Sequence, residues 1–155
     1  NFGPARQIQD PWGGGCVSIS GEENIEAREW YQENQIPIFA YSCLGRGLFS
    51  GKVKTAQLEE TKQILDKFAI KGYWCQENID RLARMENIAQ NRKCSVSQVA
   101  IAWVLQQDMM TFPIITVSDV KRILHKGKDI SSFLESKYYL HNSSKRGKFR
   151  KFVRI

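Results

Sequence analysis

The stretch Ile36 to Lys52 constrains the fold most, because two segments of opposite chemistry meet in it. Ile36 to Tyr41 is an uncharged run of aliphatic and aromatic residues entered through Pro37 and too short for a helix, so it reads as a buried parallel strand. Ser42, Gly45, Arg46, Gly47, Ser50, Gly51 and Lys52 then place small residues, hydroxyls and cations just past its carboxyl end. In parallel sheets that end is where ligands bind. The composition suits a phosphate: glycines admit close approach, amides donate, and cations neutralise charge. Spacing excludes the common nucleotide loops. The dinucleotide pattern needs a glycine where Ser50 stands, and Gly51-Lys52 runs into Val53 rather than the Ser or Thr of an ATPase loop. A plain glycine-rich turn between strand and helix remains the alternative.

The flanking sequence reads as helices alternating with strands. Asn1 to Ile19 is irregular, with Asp10-Pro11-Trp12 and Gly13-Gly14-Gly15 signalling a loop. Ser20-Gly-Glu-Glu23 predicts a capping box opening a helix to about Asn34 that buries Ile25, Ala27, Trp30 and Tyr31. Leu58, Ile64, Leu65 and Phe68 have near-helical spacing over Gln57 to Phe68, and Gly72-Tyr73-Trp74 is expected to break it. Asn78 to Asn91 predicts an amphipathic helix with Ile79, Leu82, Ala83, Met85 and Ile88 inward and Arg81, Arg84 and Glu86 outward. Ser95-x-x-Gln98 predicts a second capping box before an apolar helix, and Thr111 to Val117 an uncharged strand. Strand, helices and strand in that order form the βα unit of a parallel sheet.

Charge and cysteine usage narrow the class. The formal net charge is +7, yet residues 141–155 hold six of the 23 Lys and Arg and none of the 16 acids, leaving 17 basic against 16 acidic residues elsewhere. Basicity therefore belongs to a carboxyl-terminal tail, 141–155, expected to be disordered. Nucleic-acid or acidic-lipid binding through it is the weaker alternative, since solvated basic ends are commoner. Cys16, Cys43, Cys75 and Cys94 form no Cys-x-x-Cys pair, which argues against a zinc site or redox dithiol and for free thiols in the cytoplasm. His125 and His141 sit in no metal-ligand pattern. No apolar run is long enough to span a membrane.

Phe39-Ala-Tyr-Ser-Cys-Leu-Gly-Arg-Gly-Leu-Phe-Ser-Gly-Lys52 resembles the strand-and-loop signature of aldo-keto reductases, with Cys43 where the family usually has proline. Ser95 to Gln107 resembles the family's helix before its last barrel strand, and Phe112 to Ile123 that strand and the phosphate-binding turn after it. The resemblance covers roughly residues 1 to 126. Thr116 replaces a usual glycine, and His125-Lys126 a usual Glu-Asn. It implies an α/β fold, the last strands and helices of a (β/α)8 TIM barrel, occupying residues 1–140. Such a barrel needs about 250 residues. With Asn1 in place of Met, an absent amino-terminal half is expected.

The resemblance also implies roles. Tyr41 stacks on a nicotinamide; Ser42, Leu44, Gly45 and Arg46 line the cofactor's diphosphate; Ser118 and Arg122 hold the adenosine 2′-phosphate, so NADP(H) is expected over NAD(H). Trp12 either faces the active-site mouth or pins the glycine loop. The family's catalytic tyrosine, lysine, aspartate and histidine have no matching motif here, and Tyr31, Tyr41, Tyr73, Tyr138 and Tyr139 stand in other contexts. The expectation is a cofactor-binding fragment, inactive alone, of an enzyme reducing a small carbonyl substrate, self-associating through exposed barrel edges. The alternatives are a non-catalytic relic or interaction module, and a basic-tail nucleic-acid binder.

Overall fold

A computed structural model describes residues 1–15 and 17–115. The carboxyl-terminal end of the expected last strand, Ser118, Arg122, the remainder of the 1–140 unit and the basic tail lie outside the described residues, as does Cys16.

The described chain is helix-rich α/β, with helices α1 (Ile25–Glu33), α2 (Leu58–Lys62), α3 (Lys67–Tyr73), α4 (Gln76–Arg92) and α5 (Val96–Leu105), and strands β1 (Ile38–Ala40) and β2 (Thr111–Pro113). The strands pair in parallel, Ile38 opposite Thr111, Phe39 opposite Phe112 and Ala40 opposite Pro113. Their alternation splits the sheet into unlike faces. On one, Ala40 is buried and the Thr111 hydroxyl donates to the Val104 carbonyl at 2.7 Å, joining β2 to α5. On the other, the rings of Phe39 and Phe112 stack at 5.4 Å while 65% and 47% exposed. The expectation of a strand buried on both faces is therefore corrected: among the described residues only one face is covered.

The second capping box forms as expected. The Ser95 hydroxyl accepts the Gln98 N–H, and the Gln98 side chain accepts from the Ser95 backbone. It starts a helix whose Val96, Val99, Ala100, Ile101 and Val104 are buried against α4 and the sheet. The first box does not form. Ser20 Oγ instead accepts the Gly3 N–H at 3.1 Å and donates to the Gly3 carbonyl at 2.7 Å, and α1 follows a 3₁₀ turn, Glu22–Asn24, with no side-chain cap. Nor does α1 bury the predicted face. Trp30 is 52% exposed, Ile25 is also exposed, and Tyr31 is only half-buried against the core.

Two further corrections concern the middle of the chain. The helical pattern over 57–68 breaks before Asp66, whose carboxylate accepts the Ala69 N–H and caps α3. Gly72 and Tyr73 continue that helix rather than break it; the bare Cα of Gly72 serves packing instead, since a Cβ there would stand 3.2 Å from the Pro11 ring. In α4, Ile79, Leu82 and Met85 face inward as expected, while Ala83 is exposed and Ala89 is buried. Glu86 is half-buried rather than outward, accepting hydrogen bonds from the Thr55 amide and hydroxyl.

The irregular amino-terminal segment is part of the core. Phe2 is buried with Ala40, Cys43, Val104 and Met109. Asn78 locks this segment down: its Oδ1 accepts the Arg6 N–H at 2.8 Å, and its Nδ2 donates to the carbonyls of Arg6 at 2.8 Å and Tyr73 at 2.7 Å. Asn78 is fully buried. Removing its amide strands backbone groups away from water, so Asn78→Ala is expected to lose about 2–3 kcal/mol in denaturant unfolding. A loss below about 0.5 kcal/mol, the range of an ordinary surface substitution, would contradict this.

Candidate functional site

The loop past the carboxyl end of β1 is a turn closed by its own backbone hydrogen bonds. Leu48 and Phe49 are fully buried and anchor its far side. The Gly45 N–H donates to the Ser42 carbonyl at 2.8 Å, and the Leu44 carbonyl accepts from Gly47 at 3.2 Å and Phe49 at 3.0 Å. Three consecutive residues, Gly45, Arg46 and Gly47, take positive φ values of 55°, 51° and 102°, as does Ser42 at 53°. Glycine meets that demand without strain at the outer two positions. Gly45 also lies against Ala5, whose Cβ would stand 3.0 Å from an added Cβ. Cys43 is buried, with its Sγ 3.7 Å from the Ile114 carbonyl.

This turn brings Tyr41 and Arg46 around a common ring. Trp12 lies 6.1 Å from the Tyr41 ring, and the Arg46 guanidinium carbon lies 5.6 Å from the Trp12 centroid. Trp12 is held from its own side: Asp10 accepts the N–H groups of Trp12 at 2.9 Å and Gly15 at 2.7 Å. It thus contacts the loop while remaining 38% exposed. Ser42 and Leu44 are half-buried in the same turn.

Two further residues meet this loop: Asp66, which the sequence pattern did not single out, and Phe68, which it marked only as an apolar position of a helix. Arg46 Nε donates to both Asp66 carboxylate oxygens, at 3.0 and 2.9 Å, and Nη2 reaches Oδ2 at 2.9 Å; the guanidinium carbon is 5.2 Å from the Phe68 centroid. An aspartate just before a helical run is an N-cap signal. Reading 57–68 as one helix hid it. A cleft of about 490 Å³ lies elsewhere, lined in part by Arg6, Arg28, Arg81 and Glu77 but by none of the loop residues. Within it Glu77 pairs with both Arg6 and Arg81, and the Arg28 guanidinium donates to the Ile19 and Gly21 carbonyls. Among the described residues no group of three His, Cys, Asp or Glu is placed to hold a metal. Nor is any helix there long and apolar enough to cross a membrane.

Residues 20–131 match the sequence model of the Aldo/keto reductase family. The chain belongs to this family. Similar proteins include a probable aldo-keto reductase 1 of Glycine max, 32% identical over 94 residues, or 59% of this chain and 27% of the relative. The aldo-keto reductase str7 of Strobilurus tenacellus is 28% identical over 56% of this chain and 26% of its own. An L-glyceraldehyde 3-phosphate reductase of Escherichia coli strain K12 is 24% identical over 59% and 28%. The chain thus spans about a quarter of the length of these curated relatives. No solved structure matches it. Within the family-matched segment lie Tyr41, Arg46, Asp66 and Phe68, whereas Trp12 and Asp10 precede it.

The electrostatics of the loop centre on the Arg46 pair. Hydrogen bonds from Arg46 hold the Asp66 carboxyl below its ordinary range, aided by the Ala69 N–H and opposed by partial burial. A carboxyl depressed on folding stabilises the native state above its unfolded value, near pH 4, and loses that contribution as pH falls through the lower folded value. Asp66 is about half exposed, so solvent screens the pair and the effect is at most about 1 kcal/mol. Comparing urea unfolding of the native chain and Asp66→Asn from pH 6 down to pH 2.5, any advantage of the native chain should shrink below pH 4. A difference that grew in acid would contradict the assignment.

Proposed function

We propose that this chain forms the cofactor-binding wall of an NADP(H)-dependent aldo/keto reductase, contributed by the last βα units of a (β/α)8 barrel. The observation that carries this reading is the convergence of Tyr41 and Arg46 on Trp12 at the carboxyl end of two parallel strands. Ligands of parallel α/β sheets bind at that end. Tyr41 offers a flat ring to a flat heteroaromatic group, and Arg46 offers a planar cation to phosphate oxygens. Loop amides contribute less than the sequence suggests, because those of Gly45, Gly47 and Phe49 are engaged inside the turn. Ser42 and Leu44 complete the lining, with Ser118 and Arg122 assigned to the 2′-phosphate.

In this reading Tyr41 and the loop after β1 would hold a nicotinamide cofactor, which would supply hydride to the carbonyl carbon of a small aldehyde or ketone. The protein residues bind and orient; the proton for the carbonyl oxygen comes from the tyrosine-centred group of the family, which has no matching motif in these 155 residues. The chain assayed by itself is therefore expected to bind cofactor without turnover. The open sheet face fits the same reading. Phe39, Phe112 and Ile114 then point toward a barrel interior that further strands would close.

Titration of the chain with NADPH and NADH, followed by nicotinamide fluorescence, tests the proposal. NADPH is expected to bind more tightly, with Arg122→Ala removing the preference by about tenfold or more, the value of a charged hydrogen bond. Tyr41→Ala should weaken both cofactors by about two- to tenfold through the lost stacking. A wild-type chain that binds neither cofactor would refute the assignment. For the barrel geometry, the isolated chain should associate with rising concentration or bind ANS through the open face; a monomer that does neither would count against it.

A further inference from the structure

We propose that Asp66 is an internal rival for the Arg46 guanidinium, so that a phosphate-bearing ligand at the loop after β1 binds by displacing a carboxylate already seated there. The inference rests on reading that loop as one wall of a phosphate-bearing cofactor's site. Asp66 takes the Nε and Nη2 edge of Arg46, with contacts of 2.9–3.0 Å. Bidentate chelation of phosphate uses the same kind of edge. One set of N–H groups cannot serve both anions fully, and the two negative charges would repel each other if both approached.

The surrounding geometry gives Asp66 its leverage. Arg46 sits in the left-handed region, φ 51° and ψ 39°, where a residue with a Cβ costs about 1 kcal/mol or more. Such a conformation persists when its surroundings over-determine it. Here the ion pair and two ring contacts, Trp12 and Phe68, do so. Asp66 is itself fixed independently of Arg46, since its Oδ1 accepts the Ala69 N–H at 2.8 Å and caps α3. The carboxylate would therefore stay in place when the guanidinium turned to a ligand. Its charge sets an opposing term that a neutral cap would lack.

Asp66→Asn and Asp66→Ser remove the charge but keep residues that cap helices well, so either serves should the other fold poorly. Calorimetric titrations of the full chain with NADPH and with inorganic pyrophosphate are the readout. Both variants are expected to bind the probes about two- to fivefold more tightly, the scale of an exposed ion pair. The gain should vanish when Arg46→Ala is added to either variant. Unchanged or weaker binding would overturn the rival role, and NADPH binding in that same experiment would leave the cofactor reading intact. A gain that persisted without Arg46 would also overturn it. Tighter pyrophosphate binding by the variants with no NADPH binding by any protein would keep the rivalry and remove the cofactor reading. Failure of both probes with every protein would overturn both.

Discussion

The described structure depends on the Asn78 side chain and its hold on Arg6. An asparagine amide has two donors and two acceptor sites, and here all are used: the Arg6 backbone on both sides, the Tyr73 carbonyl, and the Arg81 guanidinium at 3.1 Å. Because the bonds to Arg6 run to its N–H and its C=O, they fix the segment's direction as well as its place. Everything upstream and just downstream then falls into position. Phe2 enters the core beside Val104, Ile8 donates to the Gly72 carbonyl at 2.8 Å, and Pro11 rests on Gly72. Trp12 arrives beside Tyr41 by the same route. A polar residue inside α4 thus connects the packing of the core to the geometry of the loop.

How much of this was legible in the sequence follows from how far each signal reaches. Ser95 and Gln98 satisfy each other within one turn, so their pattern predicts their structure. Ser20 carries the same kind of pattern, but its hydroxyl meets both polar groups of Gly3, seventeen positions away, and the local cap loses to the tertiary partner. Gly72 reads as a breaker until Pro11 is known to lie against it. Asn78 reads as one polar residue among several in α4; nothing local marks it as the buried one. Packing partners distant in sequence decided these cases, and spacing within a window of ten residues does not carry that information.

The site shows the same division. Tyr41, Ser42, Leu44, Gly45 and Arg46 are contiguous, and their family-like wording marks the loop without any knowledge of its neighbours. The counter-ion and the rings that define the state of Arg46 come from Trp12, Asp66 and Phe68, in other parts of the chain. Trp12 precedes the family-matched segment altogether. A reading confined to the motif therefore finds the cation but not the anion that occupies it.

That distinction bears on how a short sheet holds the loop after β1 steady. Each strand contributes three residues, so the ladder beneath the loop is brief. Stiffness has to come from elsewhere. On the inner side it comes from Leu48 and Phe49, both fully buried, and from the Ile114 N–H donating to the Ala40 carbonyl at 2.7 Å. On the outer side it comes from the Arg46–Asp66 pair, which ties the left-handed turn to the first turn of α3. Hydrophobic anchors hold a loop without regard to what it binds, whereas an ion pair holds it in a form that a stronger anion can exchange. The loop is thus held at its base by burial and at its tip by a charge pair, and in the proposed reading that pair is the contact a phosphate would exchange.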